Sequence, residues 1–439
     1  MLKRVLTGIA VVLLLIASLA ACSSGTSNAG SGSSTKAKKI VLTWYYPINV
    51  GGPVAKVVQE MADEFTKKNP NIVIHPVYCG TYDQTMTKVQ TAIQANKAPD
   101  MAVLNATQIY TLKDMNAIEP LDSFINKDKD GKGYINDFYP AFLQNSKANG
   151  KIWSIPFQRS TAVLYYNKDL FKQAGLDPNT PPATWDELVA DAQKLTIPGK
   201  QWGVEVPTSV GPYWLYQAFA LESGKNIMSA DGKKVYFDRA NSIKALQFIT
   251  DLATKDKVTP TGVVDWVNAP TDFINGKTAM LYQTTGNLTN IRTNAKFQFG
   301  VAFLPGDKQK GSPTGGGNVY IMKGISAERQ AAAWKFIRWA TSPEQAAKWS
   351  IATGYVGTRQ SAYKTKEMED YVKAFPQAAV ARDQLKYASA ELSTHNLGKV
   401  YQTINDAIQA AVTGKQTPEQ ALKDAQKQAE QELEPFQSK

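Results

Sequence analysis

Residues 40–78 read IVLTWYYPINVGGPVAKVVQEMADEFTKKNPNIVIHPVY. The β-branched and aromatic run Ile40–Tyr45 is typical of a β-strand. Apolar residues then recur at helical spacing up to Phe65, and Asn69-Pro70-Asn71 is a turn signal. Ile72–Ile74 with Val77 forms the next apolar, β-branched run. This stretch therefore predicts a strand, a helix and a second strand in succession.

The same alternation continues beyond this stretch. Tyr82–Asn96 predicts a second helix, and Met101–Leu104 predicts a third, short and buried strand. Repeated β-α-β order joins parallel strands through right-handed crossovers. Ligands of such sheets bind beyond the carboxyl ends of the strands. We therefore expect an α/β fold whose binding residues follow its strands.

A second α/β region and a helical last third are expected further along the chain. Thr161–Tyr166 is a strong strand candidate. Thr184 with Glu187 has the spacing of a capping box, as have Ser342-Pro343-Glu344-Gln345 and Thr417-Pro418-Glu419-Gln420. Each of these patterns predicts the first residue of a helix.

The first 39 residues resemble an export signal followed by a linker. Lys3 and Arg4 precede an apolar run that ends in Leu19-Ala20-Ala21-Cys22, which resembles the lipobox of bacterial lipoproteins. Residues 1–21 then form a lipoprotein signal peptide, Cys22 carries the lipid, and the Gly/Ser-rich residues 22–39 form a tether. A plain signal peptide or a single-span anchor is the alternative. We expect an extracytoplasmic protein that is lipid-anchored to the cell membrane.

Composition excludes several classes of protein. The chain has 439 residues and a formal net charge of +11, but only two Cys and two His. These counts exclude a disulfide-dense scaffold and a Cys-rich zinc array, and leave little room for His-based catalysis. The remaining cysteine, Cys79, follows an apolar strand and is expected to be buried. Because the chain carries an export signal, we expect its positive charge to face envelope polymers rather than nucleic acid.

Catalytic and cofactor motifs are not found in the sequence. It has no G-x-S-x-G elbow, no H-E-x-x-H and no P-loop, and Gly315-Gly316-Gly317 instead indicates close backbone approach or a hinge. Asn126–Asp137 is similar to a calcium loop but contains three lysines, so we favour a solvated Asp/Gly turn. We expect no metal and no cofactor.

Aromatic residues are abundant, with nine Trp and nineteen Tyr. Aromatic faces stack on sugar rings, whereas most single aromatics serve packing. Residues in turn-like contexts are Trp44, Tyr45, Tyr46, Tyr82, Tyr213, Trp214, Trp266, Tyr282 and Tyr355. Among them, Trp44 and Trp214 are candidates for stacking on a solute. The group as a whole favours a carbohydrate-type cleft.

Segments spread from Ile40 to Lys439 resemble one family, the extracellular solute-binding proteins of bacterial ABC importers (family 1, carbohydrate and glycerol-3-phosphate-binding branch). The matching stretches are 65–70 (FTKKNP), 98–100 (APD), 164–169 (LYYNKD), 184–188 (TWDEL), 276–280 (GKTAM) and 353–355 (TGY). The resemblance implies the two-lobe, type II periplasmic-binding-protein fold, with a hinge and an interlobe ligand cleft. It places lobe 1 at residues 40–157 and 297–345, and lobe 2 at residues 158–296 and 346–439.

The resemblance also implies a set of ligand contacts. These are Tyr82, Ser160, Thr284, the backbone amide of Gly316, and Tyr355. Asn105 stands where the family has an acid for glycerol hydroxyls, and Asn396 stands where it has an arginine for phosphate. Arg159 is a candidate replacement cation beside Ser160. A neutral sugar or polyol and a glycerol-phosphate-type solute both stay open.

The function expected from these features is solute capture by hinge closure and delivery to an ABC permease, by a monomer without catalysis. A secreted carbohydrate-cleaving lipoprotein is the alternative, since any two carboxylates can converge in a cleft. An adhesion or envelope-structure protein is a third hypothesis, which predicts no buried aromatic cleft.

Overall fold

A computed structural model describes residues 39–437. The strands of these residues are β1 Ile40–Tyr46, β2 Ile72–Tyr78, β3 Met101–Asn105, β4 Lys147–Ala148, β5 Lys151–Ile152, β6 Ile155–Asn167, β7 Trp202–Glu205, β8 Thr278–Thr284, β9 Phe299–Ala302, β10 Ser312–Ile321 and β11 Ala388–Ser389. The α-helices are α1 Val54–Lys68, α2 Tyr82–Gln94, α3 Ile109–Asp114, α4 Asp122–Lys127, α5 Gly131–Asn136, α6 Pro140–Leu143, α7 Lys168–Gln173, α8 Trp185–Leu195, α9 Tyr213–Glu222, α10 Ala240–Thr254, α11 Ala269–Ile274, α12 Leu288–Asn294, α13 Ala327–Ala340, α14 Pro343–Thr353, α15 Lys366–Ala374, α16 Gln377–Gln384, α17 Leu397–Val412 and α18 Pro418–Leu433.

The predicted β-α-β-α-β order at the start of the body is confirmed. Strand β1 lies between β2 and β3 and is parallel to both. Helix α1 buries Val54, Val58, Met61 and Phe65, which is the predicted apolar face. Helix α2 begins at a capping box in which Thr81 and Gln84 bond reciprocally. The carboxyl ends of these strands therefore lie along one sheet edge.

Two long strands join the two halves of the sheet. The strand order is β2-β1-β3-β10-β6-β8-β7, with β11 on β10 and β9 on β6. Along β6, Thr161 is paired with Thr314 of β10, whereas the next residue, Ala162, is paired with Thr284 of β8. Strand β6 thus changes its partner from β10 to β8 within one residue. It is the strand that crosses between the two lobes of the fold.

Separate hydrophobic cores flank this crossing point. One surrounds Leu42 and Trp44 with Phe157 and Phe336, and another surrounds Phe219 and Tyr282. The α/β class and the two-lobe fold are confirmed by this arrangement and by the solved structures compared below. The residue limits of the two lobes stay a prediction.

The predicted helix starts are confirmed, with one correction. Thr184 and Glu187 form the full capping box. At Ser342 and Thr417 the hydroxyl accepts the expected backbone bond, but the return bond predicted for the glutamine is not made. The backbone N–H of Ser342 donates to the carbonyl oxygen of Trp339 instead, and the Gln345 amide donates to Glu64 of α1.

Other predictions about the body have clear outcomes. Cys79 is buried, and burial raises the pKa of its thiol. In the calcium-like stretch, Asp128 and Asp137 each form an ion pair, with Arg338 and Arg359 respectively. Each carboxylate is therefore already neutralised by an arginine.

The export features fall outside the described part of the chain. The predicted signal peptide, the tether and Cys22 precede residue 39. Within residues 39–437, no helix combines the length and apolarity that a membrane span requires.

Candidate solute-binding site

A cavity of about 140 Å³ lies at the point where β6 changes partners. Ser160 of β6, Thr284 at the end of β8 and Gly316 of β10 line it together. Asn105 at the end of β3 and Tyr82 at the start of α2 complete this side. The cavity thus occupies the carboxyl ends of the parallel strands, as the topology predicts.

Aromatic rings form much of the cavity wall. They belong to Tyr82, Tyr213, Trp214, Trp266, Tyr355 and Tyr401. The Trp214 indole donates to the backbone oxygen of Thr314 across 2.9 Å, which fixes the ring against β10. Such flat apolar surfaces interspersed with polar tips suit an amphipathic small molecule.

Gln158 holds two of these tyrosines in place. Its Nε2 donates to the hydroxyl oxygens of both Tyr82 and Tyr355, each across 3.0 Å. Burial raises the pKa of Tyr355 to about 12, and it raises that of Tyr82 as well, so both phenols are protonated at neutral pH. The two hydroxyls also hydrogen-bond each other, which raises the pKa of Tyr82 and opposes the rise at Tyr355. Tyr82 is therefore the donor of that bond, and the Tyr355 O–H is left to donate to a bound molecule.

The three glycines of β10 allow side chains to approach the strand closely. A Cβ on Gly315 would lie 2.6 Å from the Trp214 ring. Gly316 has a φ of +88°, and a Cβ there would lie 2.0 Å from the backbone oxygen of Gln158. The predicted close backbone approach is confirmed, since only glycine fits where β6, β10 and the aromatic wall meet.

Glu391, just after β11, is the buried acid of the cavity. Its side chain is 2% exposed and accepts a hydrogen bond from Tyr213 across 2.8 Å. Burial raises the pKa of Glu391 to about 7, although Arg159 and the Tyr213 hydroxyl oppose this shift. Its Oε2 makes no well-aligned hydrogen bond among the described residues, although the nearby Asn105 side chain also opposes the rise of the Glu391 pKa. The described residues that line the cavity include no Lys, Arg or His.

Seven of the residues expected from the sequence to contact a solute line the cavity together. They are Tyr82, Asn105, Ser160, Trp214, Thr284, Gly316 and Tyr355. Their contact with a solute stays a prediction.

Arg159 does not line the cavity, although it neighbours Ser160. Its guanidinium donates to the Gly316 backbone oxygen and to the side chains of Asn318 and Thr314. Successive side chains of a strand point to opposite faces, so Ser160 faces the cavity and Arg159 faces away from it. We therefore leave Arg159 out of the proposed contacts.

Asn396 and Trp44 also lie away from the cavity. Asn396 has a φ of +43°, and its amide donates to Glu432 across 2.8 Å. Trp44 is 1% exposed and packs edge-on against Phe157 and Phe336. Neither residue is included in the contacts proposed below.

Several lining residues were not among the sequence-based candidates. They include Glu391, Tyr401 and Asn405, as well as Asn49 and Gln108 near the strand ends. Asn49 and Gln108 follow β1 and β3, so the rule of carboxyl strand ends could have indicated them. Glu391 lies in an irregular segment after β11, and Tyr401 lies in α17. Both are distant in sequence from the other lining residues, and no local pattern indicates that they reach the cavity.

Comparison with known proteins identifies the family. The family model described as bacterial extracellular solute-binding protein matches residues 60–376. The chain belongs to this family. The relationship inferred from sequence is thereby confirmed, and it gives the chain a substrate-binding role.

Individual relatives agree with this assignment. The chain is 32% identical, over 88% of its length and 91% of the relative, to the sn-glycerol-3-phosphate-binding periplasmic protein UgpB of Yersinia pseudotuberculosis. The ABC substrate-binding protein Lmo0181 of Listeria monocytogenes, solved in complex with cycloalternan, superposes with a TM-score of 0.77 at 26% identity, covering 91% of this chain and all of that one. UgpB of Mycobacterium tuberculosis shares the fold at a TM-score of 0.80 and 23% identity, covering 91% of this chain and 99% of that one. The family and these relatives are binding proteins rather than enzymes, and the family is extracytoplasmic.

Proposed function

We propose that the chain captures a small, uncharged, hydroxyl-rich solute, a sugar or a polyol, and delivers it unchanged to the permease of an ABC importer. One observation carries this proposal. Within residues 39–437, the lining of the cavity supplies hydroxyls, amides and aromatic rings but no Lys, Arg or His. Recognition of a neutral polyol needs hydroxyls, amides and aromatic rings, and it needs no cationic side chain.

Hydrogen-bond donors and acceptors surround the proposed solute. The Tyr355 O–H donates and Ser160 offers both functions, while Asn105, whose Oδ1 already accepts from Thr107, offers its amide N–H groups. Trp214 and Trp266 provide apolar faces for the C–H side of a sugar ring. Because these residues come from both halves of the sheet, hinge closure on the solute would bring all of them into contact at once.

A glycerol phosphate fits this cavity less well, even though the Yersinia relative is named for that ligand. A phosphate ester is commonly bound by Arg or Lys, which form charge-assisted hydrogen bonds with it. The guanidinium of Arg159 is fully buried and donates to β10 and its neighbours. Above its raised pKa of about 7, the buried carboxylate of Glu391 adds a negative charge to the cavity wall.

Anchoring of the protein to the membrane completes the proposal. Cys22 carries the lipid, and the Gly/Ser-rich tether holds the binding body near the permease. The lipobox-like Leu19-Ala20-Ala21-Cys22 and the extracytoplasmic family support this part.

A thermal-shift screen tests the proposed solute class. Full-length protein would be mixed with about a hundred sugars, polyols and phosphate esters, because a ligand of the folded state raises the melting temperature by mass action. We expect stabilisation by neutral sugars or polyols. Stabilisation by phosphate esters alone would contradict the proposal, as would turnover of a glycan.

A further inference from the structure

Glu391 presents a buried carboxylate oxygen at the cavity wall. The side chain is 2% exposed, and Oε1 accepts from the Tyr213 hydroxyl across 2.8 Å. Its Oε2 is buried and makes no well-aligned hydrogen bond within residues 39–437, although the Asn105 side chain lies close enough to the carboxylate to oppose the rise of its pKa. The backbone N–H of Glu391 donates to Asn145 Oδ1 across 3.0 Å, which fixes the residue in place. The carboxylate is therefore anchored on one side and lacks a well-aligned donor on the other.

An unsatisfied buried acceptor is costly, and the cost is greatest when the group is charged. Buried polar atoms without a partner are rare, and each calls for an explanation such as a bound molecule. Because Glu391 lines the cavity, a molecule inside it can supply the missing donor. A solute hydroxyl is such a donor, whereas a fully ionised phosphate oxygen is not.

Arg159 compensates the charge of Glu391 without lining the cavity. Its guanidinium attracts the carboxylate electrostatically. The two terminal nitrogens of Arg159 donate to Gly316, Asn318 and Thr314, its Nε has no hydrogen-bond partner within residues 39–437, and its side chain is 0% exposed. Arg159 thus makes a buried carboxylate tolerable without offering an N–H group to a solute. An anion that enters the cavity meets the acid and not the arginine.

On the basis of the proposed function, we propose that Glu391 determines solute specificity: Oε2 accepts a hydrogen bond from a solute hydroxyl, and the carboxylate excludes phosphate esters of the same solute. The charged form carries both effects. Since burial raises the pKa of Glu391 to about 7, the test belongs at pH 8. The titratable groups that interact with this carboxylate are Arg159, Tyr82, Tyr213, Tyr320 and Tyr401.

Calorimetry on matched pairs of solutes tests this role. The probes are glycerol with glycerol 3-phosphate, glucose with glucose 6-phosphate, and the best neutral solute of the thermal-shift screen with its phosphate ester. Full-length wild type, Glu391→Gln and Glu222→Gln would be compared at pH 8. Glu222 is a matched control, because it is a buried acid that bonds the Trp185 indole and does not line the cavity.

We expect wild type and Glu222→Gln to bind a neutral solute and to bind its phosphate ester at least about 100-fold more weakly. Glu391→Gln should bind the neutral solute about tenfold more weakly, and the preference over the phosphate ester should shrink. If Glu391→Gln does not fold, Glu391→Asp replaces it. That variant keeps the charge but withdraws the oxygen, so it should weaken neutral binding and still exclude the ester.

The two proposals fail in different ways. Equal binding of a neutral solute by wild type and by the Glu391 variant would overturn the role of Glu391 and leave the proposed function standing. Wild-type protein that prefers the phosphate ester, or that binds no neutral solute, would overturn both.

Discussion

The hydroxyl of Tyr213 donates a hydrogen bond to Oε1 of Glu391 across 2.8 Å. Tyr213 begins α9, whereas Glu391 follows β11 much later in the chain. The Tyr213 ring also stacks on Tyr401, with centroids 4.1 Å apart and an interplanar angle of 24°. One wall of the cavity is thus built around a buried acid, and its ionisation is expected to affect both stability and binding.

Glu391→Gln should flatten the pH dependence of stability between about pH 4.5 and pH 7. The pKa of Glu391 is raised from 4.5 to about 7 on folding, so in this window the folded state binds a proton that the unfolded state has released. Wild type therefore loses stability as the pH rises through the window, by on the order of 3 kcal/mol above pH 7. Urea unfolding of both proteins across this range checks the difference.

Other buried acids, such as Glu205, titrate in both proteins and cancel in this comparison. Parallel stability curves for wild type and Glu391→Gln would show that burial does not raise the pKa of Glu391.

Gly316→Ala should reduce both stability and solute affinity. The substitution strains a left-handed backbone by about 1–2 kcal/mol. It also brings a Cβ to 2.0 Å from the Gln158 oxygen, so β6 and β10 must separate at the cavity. Gly324 is a matched control, because its φ is +89° and a Cβ added there would meet nothing within 4 Å. Chemical denaturation should show a larger loss of unfolding free energy for Gly316→Ala than for Gly324→Ala. Similar losses would mean that β6 and β10 accommodate the added Cβ without cost.

His395→Ala should weaken solute binding by about two- to fivefold. His395 and Asp114 lie in different predicted lobes, and His395 Nδ1 is 2.7 Å from Asp114 Oδ2. Opening of the cleft would break this contact, so its loss shifts the population toward the open form. His75→Ala is the control, because His75 is exposed on β2. Calorimetric affinities that are equal for both variants would argue against this link.

Cys22→Ser should release the protein from the membrane fraction. Cys22 and Cys79 are the two cysteines of the sequence, and Cys79 is buried at 1% exposure. Metabolic labelling with palmitate should therefore mark wild type and Cys79→Ser but not Cys22→Ser. Labelled Cys22→Ser protein would contradict the proposed anchor.

Local sequence patterns predicted the strands and helices of the body well. The β-branched and aromatic runs located β1 and β2, and helical spacing located α1 and the start of α2. The partner exchange between Thr161 and Ala162 was not predictable in this way. It depends on β10 and β8, which are distant in sequence, and β6 is buried along its whole length, so it shows no alternation.

The candidate site was predictable where strand ends and glycines mark it. Tyr82, Asn105 and Gly316 line the cavity for those reasons. Strand periodicity could also have excluded Arg159 once Ser160 was chosen. Glu391 could not be found, because its position depends on the tertiary contacts with Asn145 and Tyr213.

A crystal structure of the protein with the best neutral solute of the thermal-shift screen tests the central claim most directly. We predict one solute molecule in the cavity, with its ring on Trp214 and its hydroxyl groups bonded to Tyr82 and Glu391. Solute bound outside the cavity would contradict the account, as would a phosphate ester that occupies the cavity in preference to the neutral solute.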